Sequence, residues 1–408
     1  MLLTLAWRNI WRNRRRTLIT AASVLFALFF ALIMRSMQIG TYARMTDNLV
    51  QAFTGYLQVQ KKGYWENKDI NQSFVVTDSL LHSISKVGNV SVIVPRLEYF
   101  ALASFGLQAK GCAIIGTDPA KEEQLTHLKK WLQSGDFLAE GDNGVLLASK
   151  LAAYLKIKVG DTLVLIGQGY HGVSAAGKFP VKGILHFPSP DLDGQLIYMP
   201  LRMCRDFFSA GDRVTSLAIN LDDPSGLNLA ESHINNIVLP LGLLTMPWQE
   251  MLVELVQYIK SDNASGLIML AILYLVVAFG VFGTVVMMTS ERTREFGIMI
   301  AIGMKKWKLA VVTLVEMLMI GTLGILAGII VSIPVIGYFY NHPVDYGGDM
   351  GTIIENYGFE PKMYFAFQPD FFLAQSLVVA IIVLAAACYP ATRIFRLKEI
   401  NAIHSKFN

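Results

Sequence analysis

Four long apolar runs set what this chain can become. They extend from Leu18 to Met34, from about Gly266 to Thr289, from near Leu309 to about Tyr338, and from Phe371 to Tyr389. A helix that crosses a hydrocarbon core of about 30 Å needs roughly twenty consecutive apolar residues. The runs therefore predict four transmembrane helices, the last stopping at Pro390, which cannot continue a helix ladder without losing a hydrogen bond. Nothing comparable lies between Gly40 and Asp262, so a large folded domain is expected outside the membrane, inserted between the first and second helices. An apolar content of 53% over 408 residues agrees with that division.

Positive charge orients the spans, because short cytoplasmic segments collect Lys and Arg. Arg8, Arg12 and Arg14 to Arg16 precede the first run, Arg292, Arg294, Lys305, Lys306 and Lys308 lie between the second and third, and Arg393, Arg396, Lys398 and Lys406 follow the fourth. The remaining short loop is acidic, with Asp345, Asp349, Glu355, Glu360 and Asp370 against Lys362. Both termini are accordingly expected in the cytoplasm. The first run also resembles a signal-peptide core, but it is long and leads into Arg35-Ser36-Met37-Gln38 with no small-residue cleavage site, which favours an uncleaved anchor. The net charge of +4 is a sum over compartments and gives no argument for nucleic acid. On the N-terminal segment, Leu3, Trp7, Ile10 and Trp11 fall on one side of a helical wheel with Arg8, Arg12 and Arg15 elsewhere, the pattern of a helix lying in the membrane interface.

The region between the first two runs reads as a water-soluble α+β domain. Strands are expected over residues 55–60, from Val90 to Val94 ending at Pro95, from Thr162 to Ile166, from Val181 to Leu185, and from Leu196 to Met199. Helices are expected over Ser149 to Leu155 and Leu227 to Val238, with Gln249 to Lys260 as a stalk into the second span. Residues 172–178 (Gly-Val-Ser-Ala-Ala-Gly-Lys) match the first part of a phosphate loop, but Phe179 replaces the Mg²⁺-binding hydroxyl residue, and a strand rather than a helix is predicted next. A glycine-rich hairpin fits better. The seven histidines show no metal-ligand spacing, and Asp191 and Asp193 beside Gly194 read as a turn rather than an acid/base pair. No catalytic constellation and no metal site is predicted. Cys112 and Cys204 fall in this domain, where an oxidising compartment would permit a disulfide that spacing alone does not decide.

The most informative segment is Ser290 to Lys308. It opens with alternating charge at Glu291, Arg292, Arg294 and Glu295, continues through an apolar stretch from Phe296 to Ile302, and closes on Gly303. That pattern predicts a short amphipathic helix lying against a partner. It resembles the coupling segment of the FtsX/MacB-type ABC transporter permeases, Glu-Arg-x-x-Glu-Ile-Gly-x-x-x-Ala-x-Gly, with Glu291, Arg292, Glu295, Gly297, Ala301 and Gly303 in register and Phe296 in place of Ile. Glu316 stands where that family carries an acidic residue early in the next span, and Tyr389-Pro390-Ala391 with Ile400-Asn401-Ala402 resembles its closing motifs, although Glu399-Ile400 replaces the usual Pro. In the outer domain, residues 55–59, Pro95-Arg96-Leu97, Gly116-Thr117-Asp118-Pro119, Leu151-Ala152 and Val159-Gly160-Asp161 resemble the periplasmic domain of the lipoprotein-releasing permeases LolC and LolE.

The resemblance implies a bacterial inner-membrane permease that forms a dimer with a second copy or a paralogue and docks on separate ATPase subunits. Those partners would bind ATP and Mg, and this chain would bind no cofactor and act as no enzyme itself. Extraction of lipoproteins or another hydrophobic substrate towards a periplasmic carrier is the function it implies. A mechanotransmission permease driving efflux or cell-wall partners, and a non-transporting sensor or scaffold, are the alternatives. The expected organisation is an interfacial helix over residues 1–16, spans over 17–40, 263–290, 309–339 and 371–390, the periplasmic domain over 41–262, the coupling segment over 291–308, a periplasmic loop over 340–370 and a cytoplasmic tail over 391–408. Phe26, Phe29 and Phe30 of the first span and Phe279 and Phe282 of the second are the candidate substrate-facing residues among the membrane lipids. Glu316, the acidic side chain within a span, calls for a polar partner or for snorkelling to Lys305 or Lys308. Gly321, Gly324 and Gly328, and also Gly280 and Gly283, would permit close helix approach.

Overall fold

The computed structural model describes residues 2–12, 14–187, 189–356 and 360–397. The closing Ile400-Asn401-Ala402, Glu399 and the tail lysines Lys398 and Lys406 lie outside them, as does the side chain of Leu3. Two compact units divide the chain: Met1–Tyr42 with Ile259–Asp345 and Lys362–Asn408, and Ala43–Tyr258 with Tyr346–Pro361.

The first unit is built on four helices long and apolar enough to cross a membrane: Arg14–Leu49, Val253–Glu291, Lys306–Asn341 and Pro369–Arg396. At 1.5 Å per residue the 39 residues of the second make it ~58 Å long, well beyond a ~30 Å hydrocarbon core. Val24, Leu28 and Leu32, Val281, Val285 and Met288, Met317 and Ile320, and Val379 and Val383 pack into one apolar cluster drawn from all four helices. Small residues set the close approaches. A methyl group at Gly324 would lie 2.7 Å from Val24 Cβ and 2.8 Å from the Ala21 carbonyl oxygen, and one at Gly321 would lie 2.5 Å from Val383 Cγ1. Within this chain, no atom of a neighbouring element comes within 4 Å of a Cβ at Gly280 or Gly283. Pro390 corrects the sequence reading. The fourth helix continues through it to Arg396, and Pro390 is buried, so neighbouring helices hold the backbone around the missing hydrogen bond.

The second unit centres on a ten-stranded mixed sheet. Its order runs Leu243–Pro247, Leu57–Lys61, Ser216–Leu221, Val90–Phe105, Gln108–Thr117, Leu196–Pro200, Val145–Ala148, Ser174–Leu185 and Leu132–Gly135, with Thr162–Gln168 pairing both Val90–Phe105 and Ser174–Leu185. The strand begun at Val90 passes Pro95, which sits opposite Leu217, instead of ending there. The following residues pair continuously with Gln108–Thr117 and outweigh one lost donor. Helices Ser149–Leu155 and Leu227–Val238 form where their apolar spacing indicates, whereas the predicted stalk is broken: a short turn Trp248–Met251 precedes Leu252, and the second long helix starts at Val253. Residues 172–178 lie in a hairpin, with Val164 opposite Lys178 and no helix after it. Cys112 and Cys204 are free and buried, donating to the carbonyls of Ala101 and Leu97 at 3.2 and 3.6 Å. Burial pushes the Cys112 thiol up to about 12. Asp193 is fully buried, and its carboxylate accepts from the Ser149 hydroxyl at 2.7 Å and the Ser149 amide at 2.9 Å, so it caps the helix that Ser149 begins.

Candidate functional site

The segment after the second long helix folds as the helix Thr293–Ala301. Its amphipathic pattern separates two faces. Phe296 is 2% exposed and packs with Leu309, Ala310 and Ile394, joined at the margin by Met299, Ile300 and Met304. Gly297 is buried on the same side. On the other side Arg294, Glu295, Ala301 and Gly303 are exposed together with two residues that the sequence reading passed over, Ile298 at 43% and Ile302 at 82% exposure. The signal for those two was available: they stand four residues apart on the side of the wheel opposite Phe296 and Ile300.

Gly303 ends the helix. Its φ of +103° lies in the region that favours glycine, the Met304 amide donates to Met299 O at 3.0 Å, and the Gly303 amide donates to Ile300 O at 2.9 Å. These are the paired bonds of a Schellman cap, completed by the two methionines against the same apolar cluster.

Arg292 lies at the bend between the two helices and turns inward. It is 5% exposed, and its Nη1 donates to both carboxylate oxygens of Glu316, at 2.7 and 2.8 Å. Glu316, itself 1% exposed, therefore finds its partner here, and the lysines at the start of its own helix do not supply it. A carboxylate two turns inside an apolar helix needs a fixed cation, and a guanidinium offers one with a rigid donor set. The two remaining acids meet the N-terminal region: Arg12 donates to Glu295 at 2.7 Å, an exposed pair, and Arg16 contacts Glu291. A cavity of about 350 Å³ lies among these groups, bordered by Asn9, Arg12, Arg292, Glu295, Phe296 and Glu316. The N-terminal helix Leu2–Arg12 buries Ala6 and Ile10 and leaves Trp7 and Trp11 half exposed, so Ile10 parts company with the tryptophans with which the wheel had grouped it.

Residues 267–398, which include this site, match the FtsX-like permease C-terminal family, and residues 17–237, more than half of the chain, match the MacB-like periplasmic core domain. The chain belongs to the FtsX/MacB-type ABC transporter permeases. Relatives include the lipoprotein-releasing system transmembrane protein LolE of Haemophilus influenzae, 25% identical over 59% of each chain, and LolC of Xylella fastidiosa strain 9a5c, 23% identical over 59% of each. The pyoverdine export ATP-binding/permease protein PvdT of Pseudomonas syringae pv. tomato is 24% identical over 80% of this chain and 50% of its own length. The alignments thus span about 59% of the length of the lipoprotein-releasing relatives and half that of PvdT.

In this permease the candidate substrate-facing aromatics form two groups. Phe279 and Phe282 line an apolar cavity of about 350 Å³ between the second and fourth long helices with Leu275, Ala278, Ile382 and Ala385, and Phe282 meets Tyr389 edge-on at 5.3 Å. Phe26, Phe29 and Phe30 line no part of it; they stack along the first helix, with Phe26 and Phe30 about half exposed.

Proposed function

We propose that this permease works with a separate ATPase subunit in a bacterial inner membrane and moves lipoproteins, or another substrate carrying acyl chains, from the outer leaflet towards a periplasmic carrier. In this reading both termini and the helix Thr293–Ala301 face the cytoplasm, the strand-rich unit is periplasmic, and the active assembly contains two permease chains. The observation that carries it is the division of that helix into two faces. Its inner face is fixed by Phe296 and by the Arg292–Glu316 pair, and its outer face presents Ile298, Ala301 and Ile302 to a partner. A helix held from within, with an apolar patch beside Arg294 and Glu295 on its outer surface, transmits a push from whatever covers it. Nucleotide binding is assigned to the partner, because residues 172–178 lie in a hairpin.

The test is co-purification of the ATPase with the permease carrying Ile298→Asp and Ile302→Asp together. The expected result is a chain that still inserts into the membrane and no longer retains the ATPase; retention at the wild-type level refutes the docking role. Lipoprotein-stimulated ATP turnover by the wild-type complex separates transport from a sensor or scaffold.

The alignment with PvdT reaches further along this chain than those with LolE and LolC, and it favours a second reading, a mechanotransmission permease that drives a periplasmic efflux partner. Photo-crosslinkers at Phe279 and Phe282 discriminate: lipoprotein adducts support release, and their absence during active turnover supports mechanotransmission.

A further inference from the structure

Three outer-domain segments that are far apart in the chain, residues 55–59, Pro95-Arg96-Leu97 and Gly116-Thr117-Asp118-Pro119, converge on one buried joint. The first long helix is followed directly by the π-turn Val50–Thr54, closed by the Gly55 amide on Val50 O at 2.7 Å. Such a terminus leaves carbonyls without helical donors. Side chains from the sheet meet two of them: Arg96 Nη1 donates to Phe53 O at 2.5 Å, and Gln58 Nε2 donates to Thr54 O at 3.0 Å. Gly55 makes the corner, with φ +70° and a hypothetical Cβ only 2.9 Å from Ile219 O.

Arg96 is in turn held in place. Its Nε and Nη2 donate to the two oxygens of Glu122 at 3.0 and 2.5 Å, and Glu122 accepts from the Thr117 hydroxyl at 2.8 Å and the Thr126 hydroxyl at 3.3 Å. Both Arg96 and Glu122 are 0% exposed. A buried ion pair is a poor way to stabilise a core, since apolar residues of similar volume do it as well or better. Its distinctive property is direction: a forked guanidinium fixed on two sides places its remaining donor at one point in space. Here that point is the carboxyl end of a helix, where positive charge is also favoured electrostatically.

We propose that Arg96, braced by Glu122, is a positioning residue that locks the carboxyl end of the first long helix to the outer-domain sheet. Displacement of that helix then reaches the domain as rigid-body motion instead of dissipating in the turn. The consequence for export rests on the function proposed above; the lock itself does not.

Removing one partner alone would strand a buried charge and damage the fold. The test therefore uses the full-length permease with Arg96→Met and Glu122→Leu together, in a Cys388→Ala background with spin labels introduced at Gln51 and Lys121, both exposed. The wild-type residues should give one narrow distance distribution between the labels, and the double variant a broadened one with cooperative unfolding retained, since Glu98, 3.6 Å from Arg96 Nη1, loses that cation but keeps the Ser216 hydroxyl at 3.4 Å. With the ATPase and proteoliposomes, release of a triacylated lipoprotein should fall within the ~5–150-fold range of an ordinary coupling free energy. A distribution that stays narrow in the double variant overturns the lock. A broadened distribution with wild-type release overturns its role in transmission. Failure of the wild-type complex to bind ATPase strikes the proposed function instead, and leaves the spin-label result to decide the lock.

Discussion

Breaking the Arg292–Glu316 pair from one side should be among the most damaging single changes in the membrane unit. The side chains are 6% and 2% exposed, and one guanidinium nitrogen serves both carboxylate oxygens at 2.7 and 2.8 Å. Thr313, which borders the same cavity, donates its hydroxyl to Leu309 O at 3.0 Å and so does not serve the carboxylate. Arg292→Met therefore leaves a carboxylate buried without its cation, at a cost of about 3–5 kcal/mol, and Glu316→Leu, which leaves the guanidinium only the half-exposed Glu295 carboxylate 3.5 Å from its Nε, should cost less. Combining the two removes both charges, and a well-packed apolar pair in place of a buried ion pair is close to neutral, so the double variant should return to within about 1 kcal/mol of wild type.

The assay is equilibrium unfolding of the detergent-solubilised permease, completed as a double-mutant cycle. If the double variant loses the sum of the two single losses to within about 0.5 kcal/mol, the residues act independently and the pair as described does not hold the bend. Transport gives a second reading. The stable double variant should dock the ATPase yet couple poorly, because apolar side chains slide where an ion pair fixes one geometry.

Four further outcomes follow from the geometry. Gly324→Val should destabilise the helix bundle by about 1–3 kcal/mol, while Gly280→Val should change stability by less than about 0.5 kcal/mol; unfolding midpoints of the two variants check this. Arg12→Ala, which removes an exposed pair with Glu295, should cost no more than about 1 kcal/mol in the same assay. Burial lowers the Lys68 ammonium to about 8, with Glu98 and Glu66 pulling the other way. Its side chain should thus become nucleophilic as pH rises through about 8, ahead of ordinary lysines near 10.4, and Glu98→Gln should move that midpoint down; amine labelling against pH, read by mass spectrometry, is the measurement. Cys112 and Cys204 should resist a thiol reagent in the native protein and react on unfolding, with identical mobility in reducing and non-reducing gels.

Much of this architecture was legible because it depends on periodicity. Runs of apolar residues long enough to span a bilayer, alternating strands and the glycine that ends Thr293–Ala301 are local properties, and they fall where the sequence indicates. Pairings across the chain were not legible. Glu316 lies two turns from three lysines in sequence, but its helix turns it toward Arg292, 24 residues away, and no local pattern encodes that direction. Pro95 and Pro390 misled for a related reason: a single lost hydrogen bond decides the fate of an isolated element but not of one held along its length by neighbours.

The charged residues by which residues 291–303 resemble the family are engaged by groups of this chain. Arg292 points into the bundle, Glu291 and Glu295 meet Arg16 and Arg12, and Gly303 closes the helix. Arg294, Glu295, Ile298, Ala301 and Ile302 remain outward, an apolar patch flanked by charge in which Ile298 and Ile302 carry little sequence signature. Such a division suits a mechanical element. Directional ion pairs are strong where water is excluded and weak where it is not, so the buried Arg292–Glu316 pair holds the helix to its own bundle, while apolar burial, which needs shape more than direction, would suit the proposed partner. It follows that exchanging the acids should alter how force is passed on, and exchanging the isoleucines whether a partner is held at all. Glu295→Gln should accordingly retain the ATPase with reduced coupling, and Ile302→Asp should lose it. The opposite assignment, Glu295→Gln shedding the partner while Ile302→Asp keeps it, would mean that recognition is electrostatic and that the outward face is incidental.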